Sequence, residues 1–122
     1  MTEFEEAEWI LQSEDVRRVM VGRFAIVGGP SVEARIRRML GCTLSNELAS
    51  QMNWAGKKVK DEQKQKTAFK DTRLMMCMFD ALQQQMRAEK TEASEYTFTV
   101  TVQKWLRYAP ERLGGIARNE NP

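Results

Sequence analysis

A chain of 122 residues and 14.1 kDa has room for one hydrophobic core and not for two, and its 42 % apolar content excludes a disordered polymer. Net charge is only +2, yet residues 1–16 hold six acids and no Lys or Arg, leaving 19 cations against 11 anions, or +8, in the remainder. An acidic arm on a basic body is a pattern of nucleic-acid contact, or of an intramolecular competitor for it, and equally of charges solvated on helix faces.

Phe4, Ala7, Ile10 and Leu11 are spaced for one face of a short helix, with Trp9 at its edge and glutamates outside. Acids near a helix start also complement the dipole, a role that needs no partner. Ser13 is the next N-cap candidate, and Val16, Val19, Met20, Arg23, Phe24 and Val27 continue at helical spacing until Gly28-Gly29-Pro30. Phe24 to Val27 fits an extended segment as well. Ser31 then caps a helix with the stripe Val32, Ile36, Met39 and Leu40, and Gly41 is placed as its stop. Arg35, Arg37 and Arg38 cover the rest of that helix as a solvated face or a phosphate-facing ridge.

Thr43 or Ser45 opens a further helix through Leu44, Leu48, Ala49 and Met52. Asn53 and Gly56 both tolerate the left-handed backbone that ends a helix, and Trp54 between them folds back onto the stripe. Residues 57–66 carry five lysines, two acids and one apolar residue, Val59, which reads as a basic surface loop over 57–70. Asp71 or Thr72 caps the longest element, about Thr72 to Arg87, with Leu74, Met75, Met78, Phe79, Leu82 and Met86 on a stripe wide enough for several neighbours and Cys77 and Ala81 beside it.

Thr97 to Val102 alternates like a strand, but no second strand of that quality is present to pair with it. Phe98, Val102, Trp105, Leu106 and Ala109 also fit a helical face, and a helix capped by Thr97 or Thr99 and ended or kinked by Pro110 is expected. Lys104, Arg107, Arg112 and Arg118 make this end basic. The sum is an all-α bundle of five to six short helices. Residues 1–16 form an acidic arm or short helix, 17–115 one helical domain, and 116–122 a frayed tail. Cys42 and Cys77 both fall at apolar helical positions, which predicts buried, reduced thiols. With no histidine and no CxxC the common Cys/His zinc arrangements are excluded. No run approaches the roughly 18 apolar residues of a membrane span, and no secretory leader opens the chain, so an intracellular, soluble protein is expected.

No phosphate-cradling glycine loop, nucleophile elbow or distinctive carboxylate pair occurs, so a binding module without cofactor, metal or small-molecule substrate is expected rather than an enzyme. The blocks N-E-L-A (46–49), N-W-A-G-K (53–57), K-T-A-F-K-D (66–71) and K-W-L-R-Y-A-P-E-R-L (104–113), with Gly28-Gly29 before them, resemble an animal domain-of-unknown-function family found beside chromatin and transposon-derived modules. The resemblance spans about residues 15–115. More distantly the layout is similar to the BEN domain, an all-helical module of chromatin proteins that binds DNA or proteins. It implies a nuclear protein of chromatin or transcription regulation in which Lys104, Arg107 and Arg112 face duplex DNA and Lys57, Lys58 and Lys60 assist. Arg107 or Arg112 would then read a guanine edge if its helix enters the major groove. The other reading is a protein-interaction module, seating a partner chain or a second copy on the acidic arm, the Trp54 surface or the Met-rich helix.

Overall fold

Six hydroxyl caps set the helix starts. Thr2, Ser13, Ser31, Ser45, Thr72 and Ser94 each accept a hydrogen bond from the backbone N–H three residues on, opening α1 (Glu3–Ile10), α2 (Glu14–Ala25), α3 (Val32–Thr43), α4 (Asn46–Ser50), α5 (Arg73–Ala88) and α6 (Glu95–Arg107). The computed structural model describes residues 2–56 and 67–113. Lys57, Lys58 and Lys60 of the expected basic loop, and Arg118, lie outside the described residues. The fold is all-α, as expected.

The core follows from helical period. Ile36, Met39 and Leu40 of α3, Met78 and Leu82 of α5, and Phe98 and Val102 of α6 are all buried, together with Met52 and Phe69 from the connection between α4 and α5. α5 lies against α1, α2 and α3, while α6 lies along α3. The α2–α5 seam is locked by Gln85, whose Nε2 donates to the carbonyls of Ala25 (2.8 Å) and Val27 (2.6 Å) and so covers the open C-terminus of α2.

Thr97 to Val102 is helical, because Phe98, Val102 and Leu106 recur at every fourth position toward the core. The buried Thr101 hydroxyl donates back to the Thr97 carbonyl at 2.7 Å, so its polar atom costs little to bury. The cap is Ser94 rather than Thr97 or Thr99, one turn earlier than expected. Pro110 falls in the first turn of a final helical stretch over 109–113, where a missing N–H leaves no bond unmade.

Four expectations change. α3 runs through Gly41 to Thr43, because Leu40 and Leu44, four apart, both reach the core only if the helix continues. That continuation turns Cys42 outward, so it is exposed; Cys77 is buried, and burial pushes its thiol pKa up. Ile10 and Val19, placed on inward stripes, are 49 % and 60 % exposed, since α1 and α2 each bury a narrower face than their apolar content suggested. Of the two alternatives for the acidic N-terminal segment, the short helix is the one found, with Phe4 and Leu11 in the core as their spacing implied. Finally, Met52–Asn53 (β1) pairs in parallel with Thr67–Ala68 (β2), a contact with no periodic signature. Asn53 therefore has strand backbone, while Gly56 takes the left-handed conformation at φ +67°. A Cβ on Gly56 would stand 2.9 Å from the Ala68 Cβ, so both φ and the close approach require glycine there.

Candidate nucleic-acid interface

The outward side of α6 has its own period. Tyr96, Val100, Lys104 and Tyr108 are spaced four apart, opposite the Phe98, Val102 and Leu106 stripe. Together with α3 they border an open groove of about 450 Å³, into which α3 brings Glu33 and Arg37 and the chain after α6 brings Arg112. Three cations thus meet one carboxylate. Lys104 and Arg107 are exposed in the last turn of α6, where positive charge also complements the C-terminal end of the helix dipole.

The arginines of α3 divide by task. Arg35 donates through Nε to the Gly29 carbonyl (3.2 Å) and forms a two-pronged ion pair with Glu89. That hydrogen-bonded pairing raises the Arg35 pKa and lowers that of Glu89. Arg38 donates to the Gly28 carbonyl at 2.8 Å. Both hold the Gly28-Gly29 turn against α3. Arg37, in contrast, is exposed and faces the groove. Among the described residues, ion pairs join Arg18 to Glu14 and Asp15 and Arg35 to Glu89; Arg37, Lys104 and Arg107 enter none.

Arg112 does not have the freedom expected of a base-reading side chain. Its guanidinium carbon lies 4.0 Å from the centroid of the Trp105 ring, Nε donates to Asn46 Oδ1 (2.9 Å), and Nη1 donates to the Trp105 carbonyl (2.7 Å). Nη2 is buried without an acceptor among the described residues, and desolvation lowers the pKa. Three commitments of one planar group fix it as the clamp that joins α4 to the end of α6. Of the expected contacts, Lys104 and Arg107 are therefore exposed and without an ion pair among the described residues, Arg112 serves the fold, and Lys57, Lys58 and Lys60 lie outside the described residues. Arg37, Tyr96 and Tyr108 were missed as a set. For the tyrosines the sequence signal was the four-residue spacing on the polar side of α6, and for Arg37 it was the arginine-rich surface of α3, readable as a solvated face or a phosphate-facing ridge; the three become one surface only once α3 is beside α6.

Trp54, just after β1, is half-buried and packs against the core, in line with the expectation that it folds back onto the apolar stripe. Among the described residues no helix is long and apolar enough to cross a membrane, and no three His, Cys, Asp or Glu residues come together as metal ligands. Comparison with family models, curated proteins and solved structures returned no match.

Proposed function

We propose that the chain is a binding module that engages duplex DNA across the α3–α6 face, with Arg37, Lys104 and Arg107 neutralising phosphates. The observation that supports this most is the convergence of Arg37 of α3 and Lys104 of α6 on one groove, where Glu33 is the single carboxylate among the lining residues and forms an ion pair with neither among the described residues. The resemblance to BEN-like modules points the same way, to a nuclear protein of chromatin or transcription regulation. Contact through phosphates gives affinity that falls as salt rises, with a slope of about 0.9 per neutralised phosphate.

The test is fluorescence anisotropy with a labelled duplex over a salt series, using the full chain. Replacing Lys104 and Arg107 together by glutamate is expected to weaken binding at least about tenfold at low salt and to reduce the salt slope by about two. Arg112→Lys, which keeps the charge but not the flat clamp, is expected to lower the thermal midpoint and leave the slope unchanged. Absence of affinity for any duplex at an ionic strength of about 50 mM, where phosphate contacts are strong, would overturn the proposal.

A second reading rests on α2. Val19 and Ile26, two turns apart on one face, are 60 % and 85 % exposed, a pattern that suits a partner helix or a second copy. If this face joins two copies, light scattering gives a mass that rises with concentration and returns to that of the monomer in the Val19→Glu, Ile26→Glu double variant. A constant monomer mass removes the homodimer version.

A further inference from the structure

A second concavity lies on the other side of α6, and its chemistry is opposite in sign. Trp54, leaving β1, and Met75 and Phe79, one turn apart on α5, line a cleft of about 130 Å³. Phe98 lies beneath, edge-on to Phe79 with ring centroids 5.1 Å apart. Asp71, Asp80 and Glu95 stand around it, from the turn before α5, from α5 itself and from the first turn of α6. Among the described residues lining the cleft, Lys70 is the single opposing charge. None of these three carboxylates enters an ion pair among the described residues.

Size and charge restrict the occupant. Pockets that enclose whole small ligands run from about 300 to 1,000 Å³, so this cleft suits the tip of one side chain. Three unpaired carboxylates disfavour an anion and favour a cation, and aromatic faces attract a cation through their quadrupole, tryptophan most strongly. A bare ammonium is strongly hydrated and carries three N–H donors that the indole, phenyl and thioether walls cannot satisfy. Methylation removes those donors and spreads the charge over apolar groups, while the rim carboxylates still act through space.

We propose that the cleft bounded by Trp54, Met75 and Phe79 binds the methylated ammonium head of a lysine side chain presented by a partner peptide. The site is separate from the α3–α6 groove and stands on different residues, so the two proposals fail independently.

The test uses a short uncharged peptide bearing one trimethyl-lysine, titrated into the isotopically labelled full chain and followed by NMR. The expected result is saturable shifts at the Trp54 indole N–H and the Met75 methyl. The same peptide with a neutral tert-butyl head, isosteric but uncharged, is expected to bind about tenfold more weakly, as loss of a cation–π contact implies. The unmodified lysine peptide is expected to bind more weakly than the trimethylated one. Asp80→Asn with Asp71→Asn, both at exposed positions, is expected to weaken trimethyl-lysine binding several-fold with an unchanged thermal midpoint and unchanged DNA affinity; asparagine tolerates the positive φ of 64° at position 71. Equal binding of the neutral isostere, equal binding of unmodified lysine, or shifts that avoid Trp54 would each overturn the assignment.

Discussion

Phe98→Ala is expected to lower the free energy of unfolding by about 3–5 kcal/mol, the range for truncating a fully buried phenylalanine. Phe98 is 1 % exposed and meets the Phe79 ring edge-on at an interplanar angle of 64°. The loss combines the transfer free energy of the ring, the cavity it leaves between α5 and α6, and the aromatic pair. Domains of ordinary stability have only about 5–15 kcal/mol in total, so the variant should show a much lower urea midpoint. Unfolding followed by far-ultraviolet circular dichroism gives the number. A loss below about 1 kcal/mol would mean that Phe98 does not occupy a packed position.

The second large effect comes from Glu8. Its carboxylate accepts from the backbone N–H of Arg73 and of Leu74, each at 2.9 Å, at the start of α5. Thr72 completes the set, its hydroxyl accepting from Met75 N–H and its own N–H donating to the Phe69 carbonyl at 3.2 Å. All four donors left open by a helix start are thereby satisfied, two of them from a residue 65 positions earlier in the chain. α5 has no acid in its own first turn, so Glu8 also supplies the negative charge its dipole favours. Glu8→Ala should cost about 2–4 kcal/mol, because charge-assisted bonds are lost and two donors are orphaned. Glu8→Gln retains one amide oxygen and should cost about half as much. Urea unfolding measures both, and hydrogen exchange at the Arg73 and Leu74 amides should accelerate in Glu8→Ala; unchanged protection there would sink the assignment.

This role alters the reading of the acidic N-terminal residues. Arg17 donates to the carbonyls of Leu11 (2.7 Å) and Gln12 (2.8 Å), closing the end of α1 against α2. Phe4 and Leu11 enter the core on the same helix. A deletion of residues 1–16 would therefore remove core and cap together, and a failure of such a fragment to bind DNA would report loss of fold.

Legibility followed the range of the interactions involved. The caps at Ser13 and Ser31, those at Ser45 and Thr72 as one of two neighbouring candidates each, the broad stripe of α5 and the helical choice for Thr97 to Val102 were all accessible from the sequence. Each depends on contacts between residues three or four apart, which leave a periodic trace. For α6 the absence of a comparable partner strand and the Phe98, Val102, Leu106 spacing outweighed the β-branched alternation. Gly41 misled because glycine is common both past a helix end and, where Leu40 and Leu44 must both be buried, inside one.

The basic residues show the same boundary from the functional side. That Lys104, Arg107 and Arg112 make one end positive is a matter of composition. Which of them is free to meet a partner depends on the position of Trp105 and Asn46, the latter 66 residues away from Arg112. The Trp54 cleft likewise draws its walls and carboxylates from β1, the turn before α5, α5 and α6, and no spacing in the chain predicts their meeting. By itself the sequence determined an all-α chain, most of its helix starts and the apolar faces, because these arise from short-range hydrogen bonding and helical period. Only the tertiary structure decided that Glu8 caps α5, that Arg112 clamps Trp105 while Arg37 and Lys104 share a groove, and that Met52 pairs beside Thr67. Those contacts join residues far apart in the chain, whose meeting is set by how helices pack and by no local pattern.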